Sequence, residues 1–141
     1  MALDILVVDD EEDIRDLVSG ILEDEGHQAR TAANAQETFS EIGKRLPSLV
    51  ILDIWLQDSS MDGLALLEWM REHYPDVPVV MISGHGSVET AVAAIKKGAN
   101  DFIEKPFKSD HLLHVVERAC EAERLRRENA ELRKRAGLEA D

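Results

Sequence analysis

Four places in this chain set reactive side chains at the end of a short apolar run. Asp9 and Asp10 follow Leu3–Val8, Asp53 lies within Leu49–Ile54, Ser83-Gly84 follows Val77–Ile82, and Lys105-Pro106 closes a weaker run that starts at Ala99. Three carboxylates, a hydroxyl and an ammonium form a set suited to phosphoryl chemistry. Converging carboxylates raise one another's pKa unless a cation lies among them. An acid-rich, all-oxygen site takes a hard ion, Mg²⁺ before Ca²⁺. Ser83 and Lys105 suit phosphoryl oxygens, and Gly84 leaves room beside them. An aspartate held next to such an ion and a lysine can attack phosphorus and form an acyl phosphate, with positioning and charge neutralisation lowering the barrier. Each residue alone has a plainer reading. A strand-end Asp is usually a turn or cap residue, the Asp9-Asp10 pair suits the acidic first turn of a helix, and a lone Lys suits the surface. Their recurrence at four strand ends carries the site.

Those ends come together only if the runs are parallel strands of one sheet. Between the runs lie helical stripes: Ile14, Leu17, Val18, Ile21 and Leu22; Phe39 and Ile42; Leu64, Leu67 and Met70; Val88, Ala91, Val92 and Ile95. The fifth run is His27–Ala32, also weak. Gly26 and Gly98 stand where helix C-caps fall, Asn34 with Glu37 reads as a capping box, and Ser109 reads as an N-cap. The order is βαβαβαβαβα. Runs apolar on both faces belong to a parallel sheet covered on two sides, and ligands of such sheets bind at the strand C-terminal edge.

Composition narrows the function classes. The 141 residues are 44% apolar and 32% charged, enough for one domain with its own core. The net charge of −13 repels phosphate backbones and anionic lipids, so neither nucleic acid nor a membrane surface is expected as a partner. A single cysteine, Cys120, excludes an internal disulfide and points to a reducing compartment, the cytoplasm. No secretory signal is expected at the acidic start, and no run approaches the ~18 apolar residues of a membrane span.

The stretches ILVVDDEEDIR, LVILDIWL, MDGL and VVMISGHGSVETAVAAIKKGANDFIEKPF together resemble the receiver domain of bacterial two-component response regulators. The segment from Ser83 to Phe107 looks most like receivers of the NtrC family, in particular its NtrX-like branch. The resemblance spans Met1 to about Glu121 and implies a CheY-like, flavodoxin-type α/β fold, (βα)₅, with strand order 2-1-3-4-5. It implies Asp53 as phosphoacceptor, Mg²⁺ held by Asp10, Asp53 and the Trp55 backbone carbonyl, and Asp9 acting through water. It implies Ser83 and Lys105 as phosphoryl-binding residues beside Gly84, Phe102 as a switch aromatic, and a cis Lys105–Pro106 peptide. The implied donor is a sensor histidine kinase of the NtrY type. One departure stands out: family members read D-x-x-M-P-x-M-D-G, whereas the line from Asp53 to Gly63 is two residues longer and has no proline. A more mobile or differently shaped loop is expected there.

The chain reads as a receiver over 1–120 and a helical linker over 121–141. In the linker, Ala122, Leu125, Asn129, Leu132 and Ala136 alternate by three and four, an a/d seam for a short parallel coiled coil with Asn129 at an a position. A homodimer follows as an expectation. The resemblance adds an ATPase and a DNA-binding output beyond this segment; neither a GxxxxGK[ST] loop nor a helix-turn-helix pattern occurs here. The expected function is a phosphorylation-driven signalling switch that catalyses only its own phosphorylation and dephosphorylation. A metal-dependent aspartyl-phosphate phosphohydrolase is the alternative, but it wants an acid two residues after the nucleophile, where Trp55 stands. A flavodoxin-like cofactor binder would meet five acids, Asp9 to Asp13, where it needs a phosphate loop.

Overall fold

Strand and helix alternate along the whole of the computed structural model, which describes residues 2–57, 59–84 and 88–137. The elements are β1 (Asp4–Val8), α1 (Glu12–Asp24), β2 (Gln28–Ala32), α2 (Ala35–Lys44), β3 (Leu49–Asp53), α3 (Gly63–His73), β4 (Val79–Ser83), α4 (Val88–Lys96), β5 (Asp101–Glu104) and α5 (Ser109–Arg135). All strands are parallel, in the order β2-β1-β3-β4-β5. This is the doubly wound architecture expected from the sequence.

The two-residue period of the strands divides the core into two layers. Leu6, Val8, Val50, Leu52, Val79 and Met81 face α2, α3 and α4, meeting Ile42, Leu66, Leu67, Met70 and Ala94. Ile5, Val7, Leu49, Ile51, Val80 and Ile82 face α1 and α5, meeting Val18, Leu22, Leu112, Val115, Val116 and Ala119. Strands β3 and β4 are buried at every position, which is why their runs are unbroken. β2 is an edge strand that buries only Ala32, so its apolar signal is weak.

The caps show how local sequence sets element ends. After α1, the Gly26 N–H donates to Glu23 O and the His27 N–H to Leu22 O; after α4, Gly98 and Ala99 repeat the pattern on Ile95 and Ala94. These are paired bonds of the Schellman type. Asn34 accepts from the Glu37 N–H at 2.9 Å, while Glu37 accepts from the Ala33 N–H rather than from Asn34 itself.

Three readings of local pattern need correction. Ser109 is the first residue of α5, and the cap position belongs to Lys108, which makes no side-chain cap bond. Leu17 is half exposed, outside the stripe of α1. In α4 the apolar residues Val88, Val92 and Ile95 are exposed at 81%, 45% and 47%, and Ala94 is the residue that packs. Periodicity marks a helix face but not which face meets the sheet; a short helix at the side of the fold seats its smallest residue close and leaves the larger ones outside.

Gly98 is held twice over. Its φ is +109°, a region side chains avoid, and a Cβ there would lie 2.6 Å from Cγ and Cδ of Arg71. Gly98→Ala is expected to lower the unfolding free energy by about 1–3 kcal/mol, read as a lower denaturant midpoint with unchanged slope.

Candidate functional site

Parallel register places the reactive residues along one edge. Val8 pairs with Leu52 and with Ala32, Asp53 with Ile82, and Ser83 with Glu104. Beyond the paired residues the Asp9 N–H reaches Ala32 O at 3.1 Å and the Lys105 N–H reaches Ser83 O at 2.8 Å. Asp9, Asp10, Asp53, Ser83 and Lys105 therefore meet at the C-terminal ends of β1, β3, β4 and β5.

Carboxylate oxygens of Asp9, Asp10 and Asp53 lie within 4.8 Å of one another. Asp9 is fully buried and Asp53 nearly so. Lys105 Nζ stands 3.0 Å from Asp9 Oδ2, 3.8 Å from Asp53 Oδ2 and 3.7 Å from Glu11 Oε1, with its side chain only 12% exposed. Asp9 Oδ1 accepts from the Glu11 N–H at 2.9 Å, and the Asp9 carbonyl accepts from Arg15 at 2.8 Å. Asp9 Oδ2 has the Lys105 charge beside it but no aligned hydrogen bond. The Trp55 N–H donates to Asp53 Oδ1 at 3.2 Å.

The electrostatics follow from burying several acids around one lysine. Burial first, then the Asp9 charge, push the Asp53 carboxyl from 3.8 up to about 7, against the pull of Lys105 and the Trp55 N–H. Burial raises Asp9 as well, opposed by the Glu11 N–H and Lys105. Burial works against the Lys105 charge, but its pairing with Asp9 and the charges of Asp53, Asp9 and Glu11 outweigh that, and its pKa is raised. The corner is thus short of positive charge.

The other sequence-derived residues fall around this cluster. Ser83 is fully buried at the end of β4. Gly84 is exposed, and a Cβ on it would stand 3.6 Å from Lys105 Cδ, in ordinary contact with the lysine stem. The Lys105–Pro106 peptide is cis. Phe102 pairs with Met81 across β4–β5 and packs half-buried on the face of α2, α3 and α4, outside the carboxylate cluster. The Trp55 ring is about half exposed at the rim. His85 lies outside the described residues. Ala122, Leu125, Asn129 and Leu132 are all exposed along α5, far from the strand edge in sequence and in place.

Three contributors, Gly63, Glu11 and Arg15, escaped a residue-by-residue reading. Gly63 begins α3 against the end of β3: a Cβ there would overlap the Asp53 carbonyl oxygen and lie 2.6 Å from Ile54 Cα. Its N–H donates to Ile54 O at 3.1 Å, while Asp62 caps α3 by accepting from the Ala65 N–H at 2.8 Å. The Asp-Gly pair was visible in MDGL, but the close approach that requires it was not. Glu11, whose N–H holds Asp9 and whose carboxylate faces Lys105, and Arg15, which holds the Asp9 carbonyl, were not singled out as site residues.

Comparison with known proteins defines the class. The chain matches the response regulator receiver domain over residues 5–117 and belongs to that family. It is 62% identical over 94% of its length to the nitrogen assimilation regulatory protein NtrX of Azorhizobium caulinodans, of which it spans 29%. It therefore covers less than a third of the length of such curated relatives. Among solved structures it resembles the receiver domain of NtrX from Brucella abortus, with 64% identity, TM-score 0.81, and coverage of 84% of this chain and 98% of that one. It also resembles the beryllofluoride-activated NtrC4 receiver domain dimer, at 42% identity and TM-score 0.79, covering 85% of this chain and 98% of that one. The chain is a receiver of the NtrC type, a signalling module of two-component systems.

The raised Asp53 has a consequence for stability. A carboxyl that holds its proton to about pH 7 when folded and only to about 4 when unfolded loses folding free energy as pH rises through that window. In metal-free buffer Asp53→Asn is expected to raise stability by on the order of 2 kcal/mol at pH 8 and by almost nothing at pH 4. Parallel thermal melts at the two pH values read the difference.

Proposed function

We propose that this chain is the phosphorylation-activated receiver of a longer transcription regulator, and that Asp53 accepts the phosphoryl group. The observation that carries the proposal is the closeness of Asp53 to two further carboxylates and to Lys105 in one water-poor corner. The donor is a phosphohistidine on a sensor histidine kinase, of the NtrY type by the resemblance above. An Asp53 oxygen forms the new bond to phosphorus as the P–N bond breaks, and the imidazole departs with that electron pair and takes up a proton. Dephosphorylation is a separate step: water attacks phosphorus, the bond from phosphorus to the Asp53 oxygen breaks, and the Asp53 carboxylate and inorganic phosphate are left. The domain acts only on itself and is a switch rather than an enzyme with turnover of an outside substrate.

The donor set fits Mg²⁺: it is all oxygen, acidic, short of positive charge, and leaves the buried Asp9 Oδ2 without a hydrogen bond. Asp10, Asp53 and the Trp55 carbonyl would hold the ion, with Asp9 acting through water. Bound there, it supplies charge neutralisation at the phosphoryl oxygens. Lys105 holds a phosphoryl oxygen, moving from its pairing with Asp9, and Ser83 donates its hydroxyl. Phe102 reports the change toward α4 from the neighbouring strand. A charge-assisted bond is worth ~1.5–3 kcal/mol, which bounds how far each contact can shift the switch.

We assign residues 1–120 to the receiver and 121–141 to a linker toward an output of the ATPase and DNA-binding kind, in the cytoplasm. No helix among the described residues is long and apolar enough to cross a membrane. The linker half of α5 carries Leu125 and Leu132 at 51% and 60% exposure, an apolar seam that no other described residue covers. A second copy covers it, and phosphorylation changes that association. A seam under three heptads long makes the dimer weak enough for a modest shift to govern.

Two outcomes are expected. An acyl phosphate donor with Mg²⁺ adds one hydroxylamine-sensitive phosphate per chain, and Asp53→Asn abolishes it; intact-mass measurement checks both. In sedimentation, the chain dimerises with rising concentration and more so when labelled, and Leu125→Glu with Leu132→Glu reduces association at least tenfold. A chain monomeric under all conditions contradicts the seam.

A further inference from the structure

The loop after Asp53 is two residues longer than the family pattern, yet it is fastened. Leu56 is buried, Met61 packs on the α2–α3–α4 core layer, and Asp62-Gly63 ends the loop against Ile54. Between these points the Ser59 hydroxyl accepts a hydrogen bond from the Ala35 N–H at 2.8 Å. Ala35 is the first residue of α2, and its N–H is one of the donors a helix start leaves without an internal partner. Two nearby amides are served locally: Asn34 takes the Glu37 N–H and Glu37 takes the Ala33 N–H. Ser59 serves the Ala35 N–H from a residue 24 positions away in sequence.

Topology gives this bond its meaning. Ser59 follows β3 and Ala35 follows β2, and β1 lies between those two strands. A contact between the β3 and β2 sides at the C-terminal edge has to span the end of β1. The residues that leave β1 there are Asp9 and Asp10. The chain that carries Trp55, whose N–H binds Asp53, is thus tied across the edge that holds the other two carboxylates.

We propose that Ser59 is a positioning residue for the acidic site: by holding the β3–α3 loop to the start of α2, it sets the placement of the Trp55 backbone relative to Asp53, Asp9 and Asp10. It touches neither metal nor phosphoryl group. Its effect is on how well the site is pre-arranged, and the extra length of the loop is what lets it reach α2. The inference rests on the metal and phosphoryl reading above and goes beyond it by naming a residue outside the family's motifs.

The test uses the chain with Ser59→Ala and Ser59→Thr. Hydrogen exchange on the metal-free chain is the first readout: Ser59→Ala should lose protection at the Ala35 amide and Ser59→Thr should keep it. The second is Mg²⁺ titration followed by tryptophan fluorescence, with Trp55 at the rim of the site. Ser59→Ala should need about 3- to 10-fold more Mg²⁺, the effect expected from one hydrogen bond, and Ser59→Thr should restore the parent value. The third is the lifetime of phosphate on Asp53, which should change by a similar factor. A Ser59→Ala chain with parental Mg²⁺ affinity and parental phosphate lifetime overturns the proposal while leaving the site reading intact. A parent chain that binds no Mg²⁺ overturns the site reading and this proposal with it.

Discussion

Mutual repulsion among three carboxylates is the constraint around which the functional edge is arranged. Asp9, Asp10 and Asp53 bring their oxygens within 4.8 Å, and the only cation described among them is Lys105. Free side chains would separate. They stay because Asp53 ends a strand buried at every position and Asp9 directly follows β1, whose last four residues are buried, so neither can move without opening the core. Core packing, worth about 25 cal/mol per Å² of apolar surface, thus holds a cluster that electrostatics disfavours. The cluster in turn has a strong appetite for added positive charge, as the rise of Asp53 to about 7 shows.

Backbone closeness at the end of β3 is the second requirement. Gly63 must approach the Asp53 carbonyl more nearly than any side chain permits, and this sets where α3 begins relative to Asp53. Asp62 caps the same helix, so the loop's far end is fixed in direction as well as in place. The loop between is therefore bounded by packing at Leu56 and by a cap at Asp62. The two extra residues lie between those anchors, and the three carboxylates are together.

α5 changes character along its length. Leu112, Val115, Val116 and Ala119 pack on the sheet. One turn later Glu123 is still buried, but its partners are Arg126 at 2.7 Å and Arg127 at 3.5 Å, and Arg126 reaches Asp76 before β4. Beyond that the helix is held by pairs within itself, such as Arg124 with Glu121 and Glu128 and Arg135 with Glu131. Exposed pairs of this kind add little individually. The continuation is a helix whose remaining apolar residues look outward.

The order of elements, the parallel sheet and the residues that meet at the strand edge were all legible in the amino-acid sequence. Those features depend on local signals: unbroken apolar runs for β1, β3 and β4, glycine after α1 and α4, and reactive residues placed at strand ends. The strand order came through resemblance, since periodicity does not say which strands are neighbours. Tertiary structure alone decided which helix faces meet the sheet: it left Val88, Val92 and Ile95 of α4 outside and seated Ala94. It also decided the pKa of Asp53, because burial and the distance to Asp9 exist only once β1 and β3 lie side by side. The glycine at 63 and the bond from Ala35 to Ser59 belong with these. Both express contacts between segments distant in sequence, and a chain read one window at a time carries the residue types for such contacts but not the distances.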